Sequence, residues 1–210
     1  LCPTAGRKGR RHFVPPAGHK DRRNTMYTTT EAAMSSSPGL PSARTEQALL
    51  IVFADLTRFT VNARATPAGP LAELLDGYYR HAESGVAALG GRLVKFMGDA
   101  FLAVWAEERA GAGAAALPAL KRDIDAWWAA RGWDSRVVVK AHFGRAVAGP
   151  FGQGERFDVI GSEVNLAATL PARTVSLSAE AFRCLESGER KAYRKHTAPV
   201  VYIPVDDPRP

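Results

Sequence analysis

The chain has 210 residues, 46% hydrophobic and 23% charged, enough for one domain with a true core, which excludes a chain disordered throughout. No apolar run approaches the roughly 18 residues that a membrane-spanning helix requires. The net charge of +7 gathers at the start, where residues 1–33 carry seven lysines and arginines against Asp21 and Glu31; the remainder is close to neutral, and nucleic-acid binding is not expected.

Residues 1–45 show no periodicity and are rich in Pro, Gly, Ser, Thr and Arg. This is the composition of a disordered basic tail, with the folded domain expected over 46–206. No apolar stretch follows the arginines, so no secretory signal is expected. The two cysteines are Cys2 and Cys184. One lies in the tail and one in an expected helix, so no disulfide is expected and a reducing, cytoplasmic setting fits.

From Leu49 the text alternates. A strand is predicted over about 49–55. A helix follows over about 69–89, with Leu71, Leu74, Leu75, Tyr78 and Tyr79 at helical spacing. A hairpin covers about 92–105, turning at Gly98-Asp99. A second helix is predicted near 114–130, a long strand over 136–147, a short strand at 156–160 and a helix at 162–170. Strands near 174–177 and 199–205 flank a last helix at 178–186. Two helices on one face of a mainly antiparallel sheet, in the order β-α-β-β-α-β, make an α+β fold with a ferredoxin-like core.

Two acids stand out. Asp55 closes the apolar run Leu49-Leu50-Ile51-Val52-Phe53-Ala54, and Asp99 sits at the hairpin tip. Turns favour aspartate for their own reasons. Yet an acid at a strand end and one at a hairpin tip meet if the strands are neighbours, and two carboxylates in one cleft need a compensating charge, usually a divalent metal. By contrast, Gly149-Pro150-Phe151-Gly152-Gln153-Gly154 is followed by no Lys-Ser/Thr and reads as a hairpin turn. The five histidines show no metal-ligand spacing, and Trp127, Trp128 and Trp133 read as packing residues.

Three stretches together resemble the class III nucleotidyl cyclases. Phe53-Ala54-Asp55-Leu56-Thr57-Arg58-Phe59-Thr60 is similar to their first metal motif and Gly91–Asp99 to their second. Arg156–Ala168 is similar to their base-recognition strand and following helix. The order and spacings are those of the family. The resemblance spans residues 49 to about 170, and the tail to 205 more loosely.

The resemblance implies conversion of a nucleoside triphosphate to its 3′,5′-cyclic monophosphate and pyrophosphate. Asp55 and Asp99 would hold two Mg²⁺ or Mn²⁺ ions per site. The N–H groups of Leu56 to Thr60 would open a helix and cradle the phosphates, which makes Phe59 and Thr60 substrate-binding candidates. Lys95 and Asp158 would read the adenine of ATP. Asn165 would orient the ribose. The family usually has an arginine four residues after that asparagine; here it is Thr169, and Arg173 is the nearby catalytic candidate. The family usually has glycine where this chain has Arg58, which would either crowd the phosphates or offer them a charge. The expected assembly is a homodimer with shared sites: Asp55 and Asp99 from one subunit, Lys95, Asp158 and Asn165 from the other. The rival expectation is a catalytically weak or inactive homologue that binds nucleotide or a partner as a regulator.

Overall fold

The structure is a computed structural model that describes residues 41–207. The tail expected over 1–45 falls outside the described residues up to residue 40, as does Cys2. By Thr45 the chain is already strand. Among the described residues there are five α-helices and eight strands. Strand β1 (Thr45–Leu56) leads through α1 (Phe59–Arg64) into α2 (Ala68–Ala88). The hairpin is β2 (Arg92–Met97) and β3 (Ala100–Ala106). Helix α3 (Ala110–Ala129) precedes the long β4 (Val137–Phe151), which turns into β5 (Arg156–Ile160). Helix α4 (Ser162–Thr169), β6 (Val175–Leu177), α5 (Ala179–Arg183), β7 (Tyr193–His196) and β8 (Val201–Pro204) complete the chain.

The strands form one sheet in the order β2-β3-β1-β4-β6-β8-β7, with β5 paired to β4. All pairings are antiparallel except β4 with β6. The first four strands and α2 and α3 make the expected ferredoxin-like unit: β1 and β3 are neighbours, and β4 lies on the other side of β1.

Strand alternation divides the core in two. On β1, Leu50, Val52, Ala54 and Leu56 face α2 and α3, joined there by Phe101, Ala103, Trp105, Tyr78, Leu117, Ile124 and Trp128. Leu49 and Ile51 face the other way, with Leu102, Val104, Val159 and Ala167. The sheet is therefore covered by the two long helices on one face and by the short α4 on the other. Burying both faces of β1 and β3 is why they read as unbroken apolar runs.

Helix α3 starts at Ala110, four residues before its sequence expectation, and runs through Pro118. Its glycine-rich start has low intrinsic helix propensity. Contact compensates: a Cβ on Gly113 would lie 2.9 Å from the buried Trp105 ring, and one on Gly111 would lie 2.4 Å from the Cys184 carbonyl oxygen. The long strand runs past Gly144 and Gly149, four residues beyond its expected end at 147, and turns only at Gly152. Strand β7 was not expected; it forms the sheet edge after a 3₁₀ turn at Glu189–Ala192.

Candidate active site

Asp55 lies one residue before the end of β1, exposed, and Asp99 lies in the two-residue loop between the paired Met97 and Ala100. Because β3 pairs with β1, the hairpin tip arrives beside the end of β1. Burial and the adjoining Asp55 carboxylate raise the Asp99 carboxyl above its ordinary value, while the Asp99 and Leu56 N–H groups oppose the shift. The two acids thus meet as expected. Neither forms an ion pair with a lysine, arginine or histidine among the described residues. An uncompensated pair of oxygen donors is chemistry that suits a hard divalent cation. Among the described residues no group of three or more His, Cys, Asp or Glu side chains is arranged to hold a metal.

Only Gly98 of the two loop residues takes a positive φ, 72°, the pattern of a type II′ hairpin turn. The loop carbonyls are taken by two tyrosines of α2. Tyr79 Oη donates to the Gly98 oxygen at 2.7 Å, and Tyr78 Oη donates to the Asp99 oxygen at 3.3 Å. Helical spacing marks both tyrosines only as apolar-face residues, so their polar role is not legible from periodicity. Two adjacent tyrosines on one turn of helix, before a Gly-Asp hairpin, are the available signal.

The segment after Asp55 is tied down. The Thr57 N–H donates to the Arg136 oxygen at 2.9 Å, so it is not free for phosphate. Arg58 adopts a left-handed conformation (φ 59°, ψ 5°) before α1. Its Nε lies 3.0 Å from Asp134 Oδ2, and Asn62 Nδ2 donates to Asp134 Oδ1 at 2.9 Å. The guanidinium is therefore already partnered. The Phe59 ring packs on Trp128 and stacks on Trp133 at 5.8 Å, so its side chain is committed to the core and only its backbone N–H could meet a substrate. Thr60 is exposed.

Lys95 and Asp158 come together. Lys95 Nζ lies 2.8 Å from Asp158 Oδ2, and Asp158 Oδ1 accepts from the Val159 N–H at 2.8 Å. A β-bulge makes this contact. Leu93 pairs with Ala103, but Lys95 pairs with Leu102, the register slipping at Val94. Unbroken alternation from Leu93 would aim Lys95 into the α2–α3 core; the bulge turns it to the α4 face, where Asp158 waits. Close by, the Arg92 guanidinium sits 3.7 Å over the ring of Phe157, the residue before Asp158.

Asn165 and Thr169 are both exposed, one turn apart on α4. The Thr169 hydroxyl donates back to its own helix, to the Asn165 oxygen at 3.0 Å and the Leu166 oxygen at 3.2 Å. Arg173 is exposed beyond the helix end and has no hydrogen bond or ion pair among the described residues. Helix α4 is gripped by β4 at both ends. The buried His142 lies between Ser178 (2.9 Å) and Glu163 (2.5 Å), and Lys140 Nζ donates to the Ala168 oxygen at 2.9 Å. No hydrogen bond or ion pair among the described residues joins the carboxylate pair to Lys95, Asp158 or Asn165.

The family model for the adenylate and guanylate cyclase catalytic domain matches residues 42–202. The chain belongs to this family. The cyclase domain also shares its fold with solved relatives. The adenylyl cyclase CyaB from P. aeruginosa is 22% identical, with a TM-score of 0.66 over 79% of this chain and 97% of that one. The guanylyl cyclase Cya2 is 17% identical, with a TM-score of 0.65 over 76% and 92%. The guanylate cyclase domain of RhGC from Catenaria anguillulae, solved with GTP, is 18% identical, with a TM-score of 0.61 over 75% and 96%. No curated protein matches by sequence. Class III cyclase domains bind nucleotide, generally with divalent metals, and commonly dimerise. No described helix of this one is long and apolar enough to cross a membrane.

Proposed function

We propose that residues 46–206 form a catalytic domain that converts ATP to 3′,5′-cyclic AMP and pyrophosphate, at sites shared between two copies of the chain. The observation that carries the reading is the Lys95–Asp158 pair at 2.8 Å on the α4 face. Lysine donates only and carboxylate accepts only. Adenine offers an N1 acceptor beside an N6 donor, so the pair matches it. Guanine inverts the pattern, and each mismatched buried group costs on the order of 1–3 kcal/mol.

The remaining roles follow from chemistry. Asp55 and Asp99 are the residues to hold the divalent ions. Mg²⁺ or Mn²⁺ bound there would acidify the ribose 3′-hydroxyl and neutralise the departing phosphates. The free N–H groups at the start of α1, those of Phe59 and Thr60, face the phosphates. Asn165 orients the ribose, its helix held by His142 and Lys140. Arg173 supplies the positive charge missing at Thr169. ATP as substrate and reduced cysteine as state both suit the cytoplasm.

One observation favours the second reading, a weak or inactive regulatory homologue: the Thr169 hydroxyl is turned onto its own helix and offers nothing to a transition state. A charged donor lost there typically costs about 10²–10³ in rate.

The test is cyclic-nucleotide production from ATP and GTP, each with Mg²⁺ and with Mn²⁺. Cyclic AMP should form faster than cyclic GMP, mainly with Mn²⁺, and Asp55→Ala or Asp99→Ala should abolish it. Arg173→Ala should depress kcat severely and Thr169→Arg should then add little; a large rise in kcat from Thr169→Arg, with KM little changed, would show that Arg173 does not fill the role. Faster cyclic GMP formation would sink the base assignment. No turnover in any variant, with ATP still bound, would favour the regulatory reading.

A further inference from the structure

The turn that carries Asp99 is held from outside its own hairpin. Gly98 and Asp99 lie beyond the last ladder pair, Met97 with Ala100, so their carbonyl oxygens have no strand partner. Consecutive residues of α2 take both. The two oxygens define the peptide planes on either side of the Asp99 Cα. Fixing both planes fixes the direction in which the carboxylate leaves the backbone.

The rings behind these hydroxyls are themselves braced. Tyr79 stacks on Phe96 with centroids 3.9 Å apart and planes 18° from parallel. Tyr78 is fully buried and meets Trp128 at 5.1 Å. Trp128, also fully buried, meets Phe59 edge-on at 6.2 Å. Phe59 follows Asp55 by four residues. One buried indole therefore touches both the ring behind the Asp99 turn and the ring just after Asp55. Phenylalanine at 78 and 79 would fill the same space, so packing alone does not require either hydroxyl.

We propose that Tyr78 and Tyr79 are positioning residues for the carboxylate pair, their hydroxyls setting Asp99 at the separation from Asp55 that a divalent cation with nucleotide requires. The inference rests on the reading of Asp55 and Asp99 as cation ligands.

The experiment measures Mn²⁺ binding to the full chain by electron paramagnetic resonance. It is run with 3′-deoxy-ATP and separately with 3′-deoxy-GTP, which lack the hydroxyl needed to cyclise. The proteins are the unaltered chain, Tyr79→Phe, the double variant Tyr78→Phe with Tyr79→Phe, and Asp99→Ala, each with a thermal melt. Tyr79→Phe should weaken Mn²⁺ binding roughly three- to tenfold, the scale of one hydrogen bond, with little change in melting temperature, because its ring stays stacked. The double variant should bind more weakly still. Tyrosine variants that bind Mn²⁺ as tightly as the unaltered chain, while Asp99→Ala does not, overturn the inference alone. Variants that melt early yet bind unchanged overturn it equally, since the hydroxyls then serve stability only. Mn²⁺ binding that is absent, or indifferent to Asp99→Ala, overturns the cation-ligand reading and the inference with it.

Discussion

At Arg58 a side chain sits where the backbone favours none. Its left-handed φ of 59° is a conformation that glycine adopts most readily, in keeping with the glycine that the family resemblance implies at this position. A residue with a Cβ carries roughly 1–2 kcal/mol of strain in that region, and the exposed contact with Asp134 returns little of it. Asp99 is strained electrostatically instead. Burial and Asp55 raise its carboxyl above the ordinary value of about 4. A raised value means that the fold holds the proton more tightly than the unfolded chain does. That stabilisation is complete below the ordinary value and is lost as pH rises through the raised one. At pH 7 without metal, ionised Asp99 therefore burdens the fold. Asp99→Asn should raise the melting temperature in EDTA at pH 7. The gain should shrink as the pH falls into the acid range. Calorimetry across pH checks this; a gain that persists unchanged in acid contradicts the electrostatic account.

Elements are placed here by small residues and one irregularity as much as by apolar stripes. Gly111 lets the first turn of α3 touch the backbone just after α5. Alanine there would improve helix propensity yet set its Cβ 2.4 Å from a carbonyl oxygen, an atom that cannot swing aside. Gly111→Ala should destabilise by about 1–3 kcal/mol, read as a lower urea midpoint with an unchanged slope. A variant as stable as the parent would mean that α5 yields freely. Strand β2 depends on its bulge in the same way. Leu93 and Phe96 both pack on the α2–α3 face although three residues apart, a spacing no regular strand permits. The slip between them is what delivers Lys95 to Asp158.

Across the whole molecule the candidate residues fall into separate groups: the carboxylate pair at the hairpin tip, and the Lys95–Asp158 pair with Asn165 on the α4 face. Two copies arranged with C₂ symmetry would bring one group of each chain against the other group of its partner. Asp55→Ala and Asn165→Ala proteins should then each be inactive, and mixing them should restore activity. With random exchange half the dimers are mixed and each has one intact site of two, so recovery should approach about a quarter of the parent rate. No recovery after subunit exchange is demonstrated by sedimentation or mass measurement would assign each site to a single chain.

Local pattern alone determined most of the elements. The apolar runs of β1 and β3, the helical stripe of α2 and the Gly98-Asp99 turn are short-range signals, and the adjacency of the two acids follows from strand order once the hairpin is recognised. The three motifs carried the family. Tertiary structure decided what depends on partners distant in sequence. The early start of α3 rests on close approach to Trp105 and Cys184 rather than on propensity. The direction of Lys95 rests on a one-residue slip that alternation cannot announce. Arg58 was open between crowding the phosphates and serving them, and Asp134, 76 positions on, took its charge. The hydroxyls of Tyr78 and Tyr79 acquired a purpose only when the hairpin folded back against α2. Period and turn chemistry are written in neighbouring residues; the aim of a side chain is set by whatever the rest of the chain brings within hydrogen-bond reach.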